Sequence, residues 1–255
     1  MNTKRIAAIF TVLALLASPV WADWMPGDGH KMHFPQLPDP FGWDVDITTD
    51  YVFDDWKCSD SGPVSDIHFW ISWNDDFVGQ IAQVWAEIWT DVPVGGDPDP
   101  NVTWSHPGGR LWQGVFNPSQ FIVGPPETGD QGWISPNFTQ PQWNRPDHQQ
   151  YFQVNIPQID DPFLQEEGTI YWLGLHIIPT NLGPMAGWKT SQDHFQDDAV
   201  YRFGGWKELR DPDFNGPNFG QSLDMAFVIT IPEPATLGLL AMGFVGVFAF
   251  PRRRD

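Results

Sequence analysis

Short stretches in which apolar and polar residues alternate limit the fold of this chain more than any other feature. In Val64–Trp73, every odd position from Ile67 onward is apolar. A period of two places such side chains on one face of a β-strand, whereas a helix would scatter them around its axis. Trp43–Phe53 and Thr169–Ile178 follow the same pattern. The chain is therefore predicted to consist of strands that bury one face.

The remaining predicted strands are Ile81–Trp89, Leu111–Phe116, Tyr151–Ile156, Val200–Phe203, Trp206–Leu209 and Leu223–Thr230. Ile81–Trp89 is apolar at odd and even positions, which predicts a central strand with both faces covered. Residues 93–146 are dominated by Pro, Gly and Asn, which predicts long loops around short strands. Many strands joined by turn-rich connections predict an all-β chain with a single β-sandwich domain, of which a jelly roll is one form.

Composition indicates a folded domain that does not bind nucleic acid. The chain has 15 Trp and 19 Phe, and 18% of its residues are charged, which argues against disorder. The formal net charge of −19 would repel a phosphate backbone. Cys58 is the only cysteine, so an intramolecular disulfide is excluded. We interpret Cys58 as a structural thiol rather than a nucleophile.

The first 22 residues are typical of a signal peptide. Lys4 and Arg5 precede the apolar stretch Ile6–Leu16, and the small residue Ala22 ends the segment. Signal peptidase recognises this order of features. We therefore predict cleavage before Asp23, which leaves residues 23–230 as the ectodomain. An uncleaved anchor helix is the alternative, but the apolar stretch is short for one.

The last residues, 231–255, combine three features without a gap. They are the motif Pro232, Glu233 and Pro234, the uncharged apolar run Ala235–Phe250, and the basic residues Arg252, Arg253 and Arg254. As a helix the run would span about 24 Å. This is slightly less than the ~30 Å hydrocarbon core, and arginine side chains can reach the interface. The run is therefore predicted to be a transmembrane helix whose arginines stay cytoplasmic.

This tail resembles the PEP-CTERM sorting signal of bacterial surface proteins in its Pro-Glu-Pro motif, membrane helix and basic end. The resemblance implies that a membrane-embedded exosortase removes the tail after a transient stay in the inner membrane. It also implies a final location at the cell surface or in the extracellular matrix, where such proteins typically accompany exopolysaccharide and biofilm matrix. A plain anchor that is never cleaved is the alternative. Within the ectodomain, residues 54–70 are similar to segments of uncharacterised secreted β-rich modules, which implies no activity.

One stretch matches the beginning of a calcium-binding loop. Asp211, Asp213, Asn215 and Gly216 follow the D-x-[DN]-x-[DN]-G pattern of an EF-hand. The pattern then departs, because Ser222 stands where the last carboxylate ligand belongs. A solvated turn is therefore the favoured interpretation, and calcium held by Asp211, Asp213 and Asn215 is the alternative. No other cofactor is predicted, since the histidines lack zinc-site spacing.

Four tryptophans of the Pro- and Gly-rich region motivate a binding hypothesis, namely Trp104, Trp112, Trp133 and Trp143. Exposed aromatic rings can stack on the C–H faces of sugars, although burial in the core is the commoner fate of a large aromatic residue. The sequence has no hydrolase nucleophile elbow, no phosphate loop and no distinguishable pair of catalytic carboxylates. We therefore expect a non-catalytic surface or matrix protein that binds polysaccharide, and a secreted glycan-acting hydrolase is the alternative.

Overall fold

The computed structural model describes residues 24–136, 141–196 and 198–230. The predicted signal peptide, residues 1–22, lies outside these ranges. So do the sorting tail, residues 231–255, and its predicted membrane helix, residues 235–250. The division of the chain into these three segments therefore stays a prediction. Within the described ranges, no helix combines the length and apolar character needed to cross a membrane.

The prediction of an all-β ectodomain is confirmed for the residues that the structure describes. The described residues form fourteen strands and the short 3₁₀ turn Asn74–Asp76. In chain order the strands are β1 (Trp43–Asp46), β2 (Val52–Lys57), β3 (Gly62–Pro63), β4 (Ile67–Trp73), β5 (Ile81–Val92), β6 (His106–Phe116), β7 (Ile122–Ser135), β8 (Gln142–Ile156), β9 (Leu164–Gln165), β10 (Ile170–Pro179), β11 (Ala186–Lys189), β12 (Val200–Arg202), β13 (Trp206–Glu208) and β14 (Phe227–Ile229).

Two six-stranded sheets carry the fold. The first has the order β11-β1-β7-β8-β4-β14, and the second has the order β13-β12-β2-β10-β5-β6. The second sheet is antiparallel throughout, whereas the first contains the parallel pair of β1 with β7. β3 and β9 form a small separate pair.

The first sheet closes on itself, which the predicted sandwich does not include. β11 pairs with β1 along one edge and with β4 along the other. The strands β11, β1, β7, β8 and β4 therefore form a closed five-stranded ring. The short strand β11 makes the closure, because pairing through both of its edges joins the two ends of the sheet. Its sequence, Ala-Gly-Trp-Lys, is too short to show a period of two.

The main hydrophobic core lies between the ring and the second sheet. The ring contributes alternate residues of β4, such as Ile67 and Ile71, and the second sheet contributes Val84, Ile88 and Leu175. All five side chains are fully buried. The period of two read from the sequence therefore identifies the core-facing side of these strands.

The prediction of long loops over residues 93–146 is wrong. This region contains β6 and β7 and the beginning of β8, which are 11, 14 and 15 residues long. β6 is an edge strand, where Pro107 can be tolerated without a ladder hydrogen bond. The pairing of β7 with β8 shifts between Val123 and Pro126, so a bulge accommodates that proline. Proline and glycine mark edges and bulges here.

Charged and polar side chains fill the inside of the ring. His148 on β8 contacts Asp44 on β1 although β7 lies between these strands, so the contact crosses the interior. Gly187 leaves room for the indole of Trp133, since a Cβ there would lie 2.5 Å from that ring. We define the ring interior as Asp44, Trp133, His148, Tyr151 and Lys189.

Candidate aromatic binding face

The outward side of the second sheet carries a continuous set of aromatic side chains. On β5, Val84 and Ile88 enter the main core, so the alternate residues Trp85 and Trp89 lie on the opposite side of the sheet. Strand register then places Trp85 beside His176 of β10. We define the aromatic face as Tyr51, Phe53, Trp85, Trp89, Trp104, Trp172, His176 and Trp206.

Neighbouring rings of the aromatic face contact one another across several strands. Ring centroids are 6.4 Å apart for Trp85 and His176, and 5.2 Å apart for His176 and Tyr51. Tyr51 stacks on Phe53 at 5.7 Å, and Phe53 meets Trp206 edge to face at 5.2 Å. These separations are within the range of favourable aromatic pairs, so the rings position each other.

Two residues form the buried floor of the aromatic face. Phe53 is 3% exposed and Trp172 is fully buried. The ring of Phe53 lies against the backbone of Gly174, where a Cβ would come within 2.3 Å of it. Any larger residue at Gly174 would displace Phe53 and the rings that contact it. The glycine therefore allows an aromatic residue to lie flat on this sheet.

The other tryptophans and the tyrosine remain partly exposed. This group consists of Tyr51, Trp85, Trp89, Trp104 and Trp206. The rings of Trp89 and Trp206 are nearly perpendicular, at 85°, with centroids 6.3 Å apart. Each partly exposed ring is fixed by its neighbours and still has surface in contact with solvent. Rigid aromatic surface of this kind binds ligands at a low entropic cost.

Carboxylates on this face are already engaged by protein donors. Glu87 is 3% exposed, and its Oε1 accepts a hydrogen bond of 2.7 Å from Nη1 of Arg110. Its Oε2 accepts a bond of 2.8 Å from Nε1 of Trp89. Asp91 accepts from Nε1 of Trp172 at 2.9 Å. Ring surfaces, together with the exposed guanidinium of Arg202 at 5.7 Å from the centre of the Trp206 ring, are therefore what this side of the sheet offers to a ligand.

Two polar groups of the aromatic face, the hydroxyl of Tyr51 and Nε1 of Trp104, are buried beneath its rings. Burial and the carboxylate of Glu87 raise the pKa of Tyr51, so its hydroxyl stays protonated at neutral pH. Nε1 of Trp104 is buried and has no hydrogen-bond partner among the described residues. Neither polar atom is exposed to solvent, so the rings are the surface that this face offers to a ligand.

The four tryptophans predicted from the sequence lie in different environments. Trp104 belongs to the aromatic face and packs on its buried floor. Trp133 is 4% exposed and contacts His148 inside the ring, so it presents no stacking surface. Trp112 and Trp143 are partly buried against the main core. Nε1 of Trp112 donates to the carbonyl of Asp161 at 2.7 Å.

Most residues of the aromatic face were missed by the sequence reasoning, although one signal was present. Ile81–Trp89 is apolar at both parities, and we predicted that both of its faces are covered. One face is covered by the main core, but the other carries the partly exposed Trp85 and Trp89. A strand that is apolar on both sides can therefore mark an aromatic surface as well as a central position.

The predicted calcium residues form a series of turns. Oδ1 of Asp211 accepts from the backbone N–H of Asp213 at 2.8 Å, and Oδ1 of Asp213 accepts from that of Asn215 at 3.0 Å. Oδ2 of Asp211 accepts from Nε1 of Trp43 at 3.1 Å. Across the described ranges, no three or more His, Cys, Asp and Glu residues are grouped so that they could hold a metal ion. A side-chain oxygen that accepts from the backbone N–H two residues later is typical of a turn, as the favoured interpretation of this stretch predicts.

The chain belongs to a family described as a domain of unknown function (DUF7901), whose model matches residues 32–230. A PEP-CTERM protein-sorting motif matches residues 230–254, which include Pro232, Glu233, Pro234, Arg252, Arg253 and Arg254. The resemblance noted from the tail is thus confirmed, and the chain is an exported protein that exosortase sorts to the surface or exterior. No curated protein matches the sequence, and no solved structure does.

Proposed function

We propose that this protein is a non-catalytic component of the cell surface or extracellular matrix that binds exopolysaccharide through its aromatic face. The observation that carries the proposal is the set of partly exposed rings on one side of the second sheet. Sugar rings have apolar C–H faces, and aromatic side chains that are held rigidly can stack against them. Glu87 and Asp91 are engaged by Arg110, Trp89 and Trp172, which argues against a hydrolytic role for these two carboxylates.

Electrostatics favour a neutral polysaccharide as the ligand. The chain has a formal net charge of −19, so an anionic polymer would be repelled over most of the surface. Stacking on Trp85, Trp89 and Trp206 requires no charge. Each stacked ring would contribute about 1 kcal/mol, by analogy with aromatic pairs. Several such contacts correspond to roughly micromolar to millimolar dissociation constants, which suit a repetitive polymer bound at many points.

The sorting motif supports the proposed location. Exosortase processing implies delivery to the surface or exterior. We propose that the apolar run of residues 235–250 spans the inner membrane transiently as a helix, after signal peptidase has removed residues 1–22. Removal of the tail would then release the domain into a polysaccharide-rich matrix. The aromatic face would hold it there as part of a biofilm.

Retention on polysaccharide tests the proposal. We would measure co-sedimentation of the exported protein with insoluble neutral glucans and with exopolysaccharide purified from the producing cells. Trp85→Ala and Trp89→Ala should each lower the retained fraction several-fold, corresponding to the loss of about 1 kcal/mol of stacking. Trp143→Ala is the matched control, because Trp143 is also partly exposed but packs on Trp43, away from the aromatic face.

The expected result is a loss of retention in the two variants of the aromatic face and unchanged retention in the control. Melting temperatures measured in parallel identify any variant that has unfolded. Equal retention of Trp85→Ala, Trp89→Ala and the unaltered protein would show that the aromatic face is not the binding surface. Release of soluble sugar from the glucans during the assay would contradict the non-catalytic assignment.

A further inference from the structure

A lysine and an aspartate lie opposite each other inside the ring with no access to solvent. Asp44 on β1 and Lys189 on β11 are partners in the antiparallel register. Both residues are fully buried, and Nζ of Lys189 lies 3.1 Å from Oδ2 of Asp44. Nζ also lies 5.4 Å from the centre of the Tyr151 ring. Complete burial is rare for lysine and is costly for both charged groups.

A histidine contacts the same carboxylate oxygen. Nε2 of His148 lies 2.9 Å from Oδ2 of Asp44, and Nδ1 lies 2.8 Å from Oδ1 of Asp147. Asp147 is itself held by the backbone N–H of Asp75 at 3.0 Å. His148 is thus fixed with one ring nitrogen on Asp44 and the other on a second carboxylate. This is the arrangement of an oriented proton donor.

The second oxygen of Asp44 is free of hydrogen bonds. Oδ1 is buried and has no partner among the described residues, whereas Oδ2 has both Lys189 and His148. A buried carboxylate oxygen without a donor is unfavourable for a permanent ion pair. The same atom is well suited to a neutral amide carbonyl, which tolerates burial at a lower cost.

We propose that Lys189 and Asp44 join covalently after folding, forming an intramolecular amide bond between Nζ of the lysine and Cγ of the aspartate. Two buried charges would be replaced by one neutral amide. The chain would gain a cross-link between β1 and β11, the strand that closes the ring.

The reaction needs no further reagent. Nζ of Lys189 first passes one proton to Oδ2 of Asp44, which leaves an uncharged amine beside a carboxylic acid. The amine attacks Cγ, the Nε2 proton of His148 passes to Oδ2, and the Cγ–Oδ2 bond breaks with release of water. The ring recovers a proton from the attacking nitrogen. Overall, an ammonium and a carboxylate become an amide and one water molecule, so atoms and charge balance. Oδ1 remains as the amide oxygen.

The local environment favours the attacking form of the amine. Burial lowers the pKa of Lys189, which makes the uncharged amine easier to reach than in solvent. Burial alone would also lower the pKa of His148, but its bonds to Asp147 and Asp44 raise it to about 9, so this residue holds a proton that it can donate. Proximity of the reacting groups replaces a bimolecular encounter by an intramolecular step.

The cross-link would serve an exported domain that has no disulfide. Cys58 is the only cysteine of the chain. An amide between residues 44 and 189 would enclose most of the ectodomain in one covalent loop. In the chain-entropy model a long loop of this kind stabilises the fold by restricting the unfolded chain, as a disulfide does.

Peptide mass spectrometry of the exported protein tests whether the amide bond forms. We expect the tryptic peptide that contains Asp44 to be joined to the one that contains Lys189, with a combined mass lower by one water molecule. Trypsin should not cleave after Lys189, because the amide removes its charge. If both peptides are instead recovered separately at their unmodified masses, the two residues form an ion pair and the proposal is wrong.

Substitutions assign the bond to these two residues. Lys189→Arg should abolish the joined peptide, whereas Lys31→Arg, at another buried lysine, should leave it unchanged. Asp44→Asn should still give a joined peptide of the same structure, because the lysine can displace ammonia from the asparagine side chain in place of water. A joined peptide that persists in Lys189→Arg would overturn the assignment. The unaltered protein remains decisive even where a variant fails to fold.

Discussion

The aromatic face and the ring interior contain similar residue types in opposite situations. Both contain tryptophan, histidine and carboxylates, and in both the carboxylates accept hydrogen bonds from side chains. On the aromatic face, Trp85 and Trp89 keep exposed surface. In the ring interior, Trp133 and the charged groups around it are sealed from solvent. Strand closure produces the difference, because the ring has an inside whereas the second sheet keeps an open outer face.

A residue type therefore does not reveal its role without its position in the fold. A buried charge network acts on stability or on chemistry within the fold, since no ligand can reach it. A rigid surface of partly exposed rings acts on binding, since its removal exposes little core. Substitutions in the two regions should therefore separate the two effects.

The largest effect is expected from Asp44→Ala in the ring interior. It leaves Lys189 and His148 without their shared carboxylate, and breaking a buried pair in this way costs about 3–5 kcal/mol. In a chain that carries the proposed amide, the substitution removes the cross-link in place of the ion pair. Urea denaturation of the variant and the unaltered protein measures the difference. Asp160→Ala, at an exposed position, is the control and should change the free energy of unfolding by less than about 0.5 kcal/mol.

The next largest effect on stability is expected at Trp133, and Trp104 provides the comparison. Trp133→Ala removes a buried indole from the ring interior and should destabilise the domain by about 3–5 kcal/mol. Trp104→Ala removes a partly exposed ring from the aromatic face, so a smaller loss of stability and a several-fold loss of glycan retention are expected. Thermal melting and co-sedimentation measure the two outcomes. Equal destabilisation by both substitutions would remove the distinction between the regions.

A pH-dependent contribution to stability is expected from His148. Burial opposes its charge, but the bonds to Asp147 and Asp44 raise its pKa to about 9 in the folded chain, against about 6.5 when unfolded. A raised histidine pKa stabilises the fold fully below the unfolded value, and this stabilisation is lost as the pH rises toward 9. The free energy of unfolding should fall by on the order of 2–3 kcal/mol over that window.

Urea denaturation at pH 6 and pH 9.5 measures this dependence. His148→Gln should lack this contribution and depend less on pH in the same window, which makes it the matched control. In a chain whose Asp44 has become an amide, the bond to Asp147 still raises the pKa of His148, so stability still falls as the pH rises. A wild-type stability that rises with pH between these values would contradict the ion pairs assigned to His148.

The smallest effect is expected for calcium at the loop that begins with Asp211. The carboxylates of Asp211 and Asp213 already accept backbone hydrogen bonds within the turn. Addition of calcium up to a few millimolar, above the ~10⁻⁴–10⁻³ M affinities of extracellular modules, should leave the melting temperature unchanged. A clear upward shift that Asp213→Ala abolishes would instead assign a calcium site to this loop.

Local sequence was sufficient for the strands that face the main core. The alternation in Val64–Trp73 identified β4, and Thr169–Ile178 identified β10 almost to the residue. It was insufficient for β7, in which Pro126 and several glycines hide the strand behind a turn-like composition. The register shifts that accommodate these residues depend on the partner strand, which a single segment does not encode.

The candidate site was harder to predict than the strands. Trp104 was proposed as a binding residue because it lies in the Pro- and Gly-rich region. The residues that it contacts in the aromatic face come from β2, β5, β10 and β13. Their convergence requires the strand order of the second sheet, which the sequence does not state. Trp133 came from the same reasoning as Trp104, yet ring closure buries it.

Export, sorting by the tail and a fold built from strands could be predicted from the sequence, because each of these properties depends on the local order of residues. The tryptophans that contact solvent and the acid that contacts Lys189 could be identified only in the folded chain. These properties depend on pairing between strands far apart in the chain, such as β1 with β11. The closure of the ring by four residues, Ala186–Lys189, converts an ordinary polar strand face into a sealed interior.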